Sequence, residues 1–152
     1  MLLRINGSVA VGRCMVIILL IGLFGSSAWG ASISFSTASI KEASICSAVE
    51  PQTKAPVNKI NVFSPGSPIV YCSIKYAWAP PGTKLKAQWI YVRGEQKGLN
   101  DYKIAETTME IRDRGYAAAS LTKPNKGWPR GEYAVKLLIN DKEKKLVPFT
   151  VK

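Results

Sequence analysis

The sequence predicts an all-β fold, an antiparallel sandwich of about seven strands preceded by a signal peptide. Three observations predict it. From Ile33 onward the dominant hydrophobic period is two. Turn signals rich in Pro and Gly recur about every ten residues. No helical period of useful length follows Gly30.

The first thirty residues read as an export signal. Arg4 and Arg13 make a positive start, and Cys14–Phe24 is an uncharged apolar run of eleven residues. A helix of that length is too short to span about 30 Å of hydrocarbon. Gly25-Ser26-Ser27 breaks the run, and Ala28 and Gly30 set small residues for cleavage before Ala31. The predicted organisation is therefore signal peptide 1–30, N-terminal extension 31–39 and one β-domain over 40–152. Export is to a periplasmic or extracellular compartment.

Ile40–Val49 is the first predicted strand, and Pro51–Asn61 a polar linker. Ile69–Trp78 alternates Val70, Cys72, Ile74, Tyr76 and Trp78 on one face, with Ser73 and Lys75 on the other. Ser64–Pro68 is the turn before it and Ala79–Thr83 the turn after it. Lys84–Val92 sets Leu85, Ala87, Trp89 and Tyr91 against Lys84, Lys86 and Gln88. Arg93–Asn100 reads as a loop. Tyr102–Ile111 and Tyr116–Thr122 are two further strands. Glu132–Asn140 directs Tyr133, Val135, Leu137 and Ile139 inward, and Asp141–Lys144 is a charged hairpin loop. Lys145–Val151 returns with Val147, Phe149 and Val151 inward. Pro148 cannot donate to a ladder, which predicts an edge or a bulge there.

Charge and cysteine content bound the function. Lys and Arg number 21 against 10 Asp and Glu, with no His. Removal of Met1–Gly30 takes Arg4 and Arg13 and no acid, so the net charge falls from +11 to +9. Without His, the serine triad and the cysteine–histidine dyad both lose their base, and zinc loses its commonest ligand. No phosphate-binding glycine loop is present. Ser73-x-Lys75 reads as a strand face, and Glu106 with Glu110 as ordinary charged surface beside Arg112 and Arg114. The expectation is a protein that is not an enzyme and uses no cofactor and no metal. Cys46 and Cys72, an even pair in an exported chain, predict a disulfide, with two buried thiols as the alternative.

Trp128-Pro129-Arg130-Gly131-Glu132-Tyr133-Ala134-Val135, followed by Phe149-Thr150-Val151, resembles the C-terminal signature of small bacterial immunoglobulin-like modules. Cys46, Phe63-Ser64-Pro65-Gly66 and Trp89 resemble features of one exported family of that kind, which has no assigned function. The resemblance implies an immunoglobulin-like sandwich over about residues 40–151. It makes Tyr133 the corner tyrosine and Trp89 the buried tryptophan of the third strand. Val135 stands where antibody domains carry a cysteine, so a Cys46–Cys72 bond would join neighbouring strands rather than two sheets.

The functional expectation is a binding or assembly module of a bacterial envelope. Its partner would be an acidic envelope protein or an anionic polymer; neither a small-molecule substrate nor nucleic acid is expected. By period two, Lys84, Lys86, Gln88 and Ile90 share an outward face with Lys136, Leu138 and Leu146, the expected binding surface. The alternative is a structural subunit in which Ala31–Ser39, alternating Ile33, Phe35 and Thr37, adds as a strand to a neighbour.

Overall fold

The computed structural model describes residues 38–152. The expected signal peptide, and the extension as far as Thr37, lie outside the described residues. Ala38 is already part of the core, and Ser39 opens the first strand opposite Ala77.

The described residues are all-β, with seven strands in one curled sheet. They are β1 (Ser39–Val49), β2 (Pro56–Lys59), β3 (Val62–Phe63), β4 (Ile69–Gly94), β5 (Tyr102–Thr122), β6 (Gly131–Ile139) and β7 (Lys142–Val151). The hydrogen-bonded order is β2-β1-β4-β6-β7-β3, with β5 along the other side of β4. All pairings are antiparallel except β3 with β7, which is parallel.

β4 and β5 form one long hairpin that bends midway. The expected turn at Ala79–Thr83 is instead a bulged bend within β4, with register shifts between Tyr76, Ala79 and Thr83. Pro80 and Pro81 lack N–H groups and are tolerated where the ladder is interrupted. The Thr83 hydroxyl donates to the Pro80 carbonyl at 2.6 Å and closes the bend. Before it, β4 pairs with β1 and the end of β5; after it, with β6 and the start of β5. The bend folds both groups of strands over one core, in which Val70, Cys72 and Ile74 join Leu85, Ala87, Trp89, Val135, Leu137 and Phe149.

Residues 56–63 stitch one side of the curl. β2 pairs with β1, the Ile60 amide donates to the Ile45 carbonyl, and the Thr150 amide donates to the Asn61 carbonyl. The expected polar linker therefore contains a strand. Amides of Thr150 and Lys152 bond toward β3, so the missing N–H of Pro148 falls on that side, beyond the end of β3. The β6–β7 hairpin is tighter than expected. Asn140 and Asp141, at φ 48° and 63°, make a two-residue turn, and β7 starts at Lys142. The other side of the curl ends at β5, which among the described residues pairs only with β4.

Two faces differ from the alternation. Trp78 sits at φ 60°, which swings it outward, and it is 68% exposed. Ser73, expected on an open face, is buried because its hydroxyl donates to the Lys54 carbonyl at 2.7 Å, in the turn after β1.

Candidate functional site

The tryptophan and tyrosine of the C-terminal motif build one end of the molecule. Tyr133 is buried, and its hydroxyl donates to the Pro129 carbonyl at 2.6 Å. Burial raises its pKa, with Tyr91 and Glu95 adding to the shift. The Trp128 indole N–H donates to the Ser67 carbonyl at 2.6 Å. Trp89 is buried edge-on against Phe149 at 6.0 Å, and its indole N–H finds no acceptor among the described residues. Gly94 and Gly131 pair directly, and a Cβ on either would run into the backbone opposite.

Trp128, Pro129 and Tyr133 border an apolar cleft of about 200 Å³. Tyr91, Trp128 and Tyr133 are its buried residues; Leu99, Tyr102 and Ile104 are exposed. It lies where the two ends of β5 come near each other on the unstitched side of the curl. Both loops beside it are tied down. The Tyr91 hydroxyl donates to the Arg130 carbonyl and accepts from the Gln96 amide. The Arg130 amide donates to Glu95, and the Trp128 amide to the Pro65 carbonyl. Period-two reading missed this site because its members come from loops and strand ends. The signal that could have found it is the run Leu99, Tyr102 and Ile104, three large apolar residues around a hairpin loop.

The expected binding residues do share one outer face. Lys86 stands opposite Leu138, Gln88 opposite Lys136, and Lys136 opposite Leu146. Lys84 and Ile90 lie on the same face of β4. The face is not an open basic surface, however, because β5 and the hairpin supply acids across the register. Lys84 meets Glu110 at 2.8 Å, Lys86 meets Asp141 at 2.6 Å and Glu106 at 3.8 Å, and Lys136 meets Glu143 at 3.5 Å. The Gln88 amide donates to Glu106, which also meets Lys103. These bonds hold the Glu106 and Glu110 carboxyls below their ordinary range, through Gln88 first in one case and Lys84 in the other.

Five cations without a carboxylate partner lie toward the bend. Lys41, Arg114, Lys142, Lys144 and Lys145 are exposed and form no ion pair among the described residues. Lys41 and Arg114 flank Trp78, Pro80 and Pro81 at the bend. The β6–β7 tip reaches the same end, since the Asn140 amide donates to the Lys84 carbonyl.

The expected Cys46–Cys72 disulfide is not formed; both cysteines are buried free thiols. Register gives the reason. Ile45 stands opposite Cys72 and Cys46 opposite Tyr71, so the two thiols point to opposite faces of the sheet. Burial pushes the Cys72 thiol up to about 12 and also raises Cys46. Among the described residues no group of three His, Cys, Asp or Glu side chains is placed to hold a metal.

No protein-family profile matches the chain, and no curated protein does. Solved structures give low-level likenesses. An immunoglobulin-like protein from Pseudomonas aeruginosa aligns at 9% identity and TM-score 0.47, over 76% of this chain and 96% of its own. The alkylpurine DNA glycosylase AlkC from Pseudomonas fluorescens, bound to DNA containing an abasic site analog, aligns at 12% identity and TM-score 0.47. That match covers 76% of this chain, which spans only 30% of the glycosylase. A β-D-glucoside glucohydrolase from Trichoderma reesei aligns at 12% identity and TM-score 0.41, over 78% of this chain and 19% of its own.

Proposed function

We propose that this chain is an exported, non-enzymatic binding module with an immunoglobulin-like sandwich fold, and that it engages an acidic protein or anionic polymer of a bacterial envelope. The contact surface is the bend end of the molecule rather than the outer face of β4, β6 and β7. One observation carries the reading: cations on the outer face are met by carboxylates, whereas Lys41, Arg114, Lys142, Lys144 and Lys145 are not. A lysine already paired must break its ion pair to take a new anion; an unpaired one offers its field without that cost. Trp78 adds an exposed aromatic surface of the kind enriched in binding hot spots.

The test is retention of the full chain on immobilised polyglutamate and on immobilised polyphosphate over a salt series. Substitution of Lys142, Lys144 and Lys145 by Gln lowers the eluting salt concentration, while substitution of Lys84, Lys86 and Lys136 by Gln leaves it nearly unchanged. The reverse ranking, or no retention of the parent chain on either polymer, overturns the proposal. Preference for one polymer separates an acidic polypeptide partner from a phosphate-bearing one.

A further inference from the structure

We infer that the apolar cleft at the other end is a second binding site. Its occupant is an extended acidic peptide segment that adds as a strand to the free edge of β5 and seats one aromatic side chain in the cleft. Four observations lead there. The cleft, at about 200 Å³, lies below the range of about 300–1,000 Å³ usual for whole small-molecule ligands. It is nearer to the size of a single aromatic anchor. Beside it runs a strand edge with no partner among the described residues, where β5 pairs with β4 alone. Such an edge supplies main-chain hydrogen bonds to an added strand, while a pocket for alternate side chains supplies selectivity. Tyr102 stands opposite the inward-facing Tyr91, so side chains of a strand added here and pointing to that face meet the cleft.

The third observation is charge. Lys97, Lys123 and Lys126 adjoin the lining residues Gln96, Thr122, Pro124 and Trp128 in sequence, and form no ion pair among the described residues. They favour carboxylates flanking the anchor and oppose a basic segment. The fourth is pre-organisation. Bonds from Tyr91, Arg130 and Trp128 hold the surrounding loops in place, so little ordering is required when the peptide docks. This site does not depend on the bend-end cations.

The experiment uses the full chain and the blocked peptide Glu-Glu-Val-Phe-Val-Glu-Glu, with binding measured by calorimetry and protection by amide hydrogen exchange. Binding should protect amides at 102–106 and weaken as salt rises. A control peptide with alanine for phenylalanine, and another with lysine for every glutamate, should each bind about tenfold or more weakly. Ile104→Asp and Leu99→Asp should abolish binding; both residues are exposed, and unchanged thermal unfolding of the variants checks the fold. Joint substitution of Lys142, Lys144 and Lys145 by Gln should leave peptide binding intact. Loss of binding on that triple substitution would place the peptide at the bend end and overturn the inference. Undiminished binding by Ile104→Asp and Leu99→Asp, or no binding by the parent chain, would overturn it equally.

Discussion

The Tyr133 hydroxyl donates to the carbonyl oxygen of Pro129 at 2.6 Å, tying the start of β6 to the loop that precedes it. Tyr133 is buried and Pro129 partly so, and deleting the hydroxyl leaves the carbonyl without its donor. Tyr133→Phe should therefore lower stability by about 1–3 kcal/mol in urea unfolding. It should also change the alkaline limb. Burial raises the Tyr133 pKa, so above about pH 10 the phenol ionises in the unfolded chain before it does so in the folded one. The neutral phenol's contribution is complete below pH 10 and is lost as pH rises toward the folded pKa. The Phe variant should lack that part of the loss; identical slopes between pH 9 and 11 would remove the argument.

Opposite faces of the β1–β4 pair keep Cys46 and Cys72 apart, and burial holds both thiols protonated. Neither should react with iodoacetamide in the folded protein at pH 8, because the thiolate is the reactive form. Denaturation without reductant should expose two reactive thiols per chain after residue 30. Mass spectrometry that finds the pair two hydrogen atoms lighter, and no alkylation, would mean that β1 adopts a different register.

How much of this could be read in advance depends on what fixed each element. Leu85, Ala87, Trp89 and Tyr91, and likewise Tyr133, Val135, Leu137 and Ile139, are buried on every second residue. A half-buried strand writes its own face assignment into the sequence. β2 and β3 do not, because Val57 and Val62 are exposed and the strands exist by pairing with β1 and β7. Pro80-Pro81-Gly82 has the composition of a chain reversal, yet here it bends a strand that continues. Distinguishing the two needs the partners, β1 before the bend and β6 after it. The outer face was legible in its membership but not in its charge, since Glu106, Glu110, Asp141 and Glu143 reach its lysines only through the register.

That pairing has a consequence for stability. Reversing Lys84, Lys86 and Lys136 to Glu would set new acids against those carboxylates, and like charges opposite each other in a sheet repel. The triple Glu variant should melt at a lower temperature than the triple Gln variant, and added salt should narrow the gap. The carboxylates held below their ordinary range predict an acid limb as well. Their contribution is present above the unfolded carboxylate pKa, near 4.3, and is lost as pH falls through the lower folded values. Glu110→Gln should flatten that limb between pH 4.5 and 2, measured by thermal unfolding at each pH.

Trp78 separates backbone from side chain at the bend. At φ 60° it occupies the left-handed region, which costs a non-glycine residue about 1–2 kcal/mol. Alanine at this position keeps that cost, and glycine does not. Trp78→Gly should therefore be more stable than Trp78→Ala by about 1 kcal/mol, after allowing for the extra freedom of glycine in the unfolded chain. Binding should follow the other variable. Both substitutions remove the same exposed indole beside Lys41 and Arg114, so both should lower retention on polyglutamate by the same amount. Equal stabilities would show that the local backbone relaxes without glycine. Unequal retention that tracks stability would show that the indole acts through the fold and not through the contact.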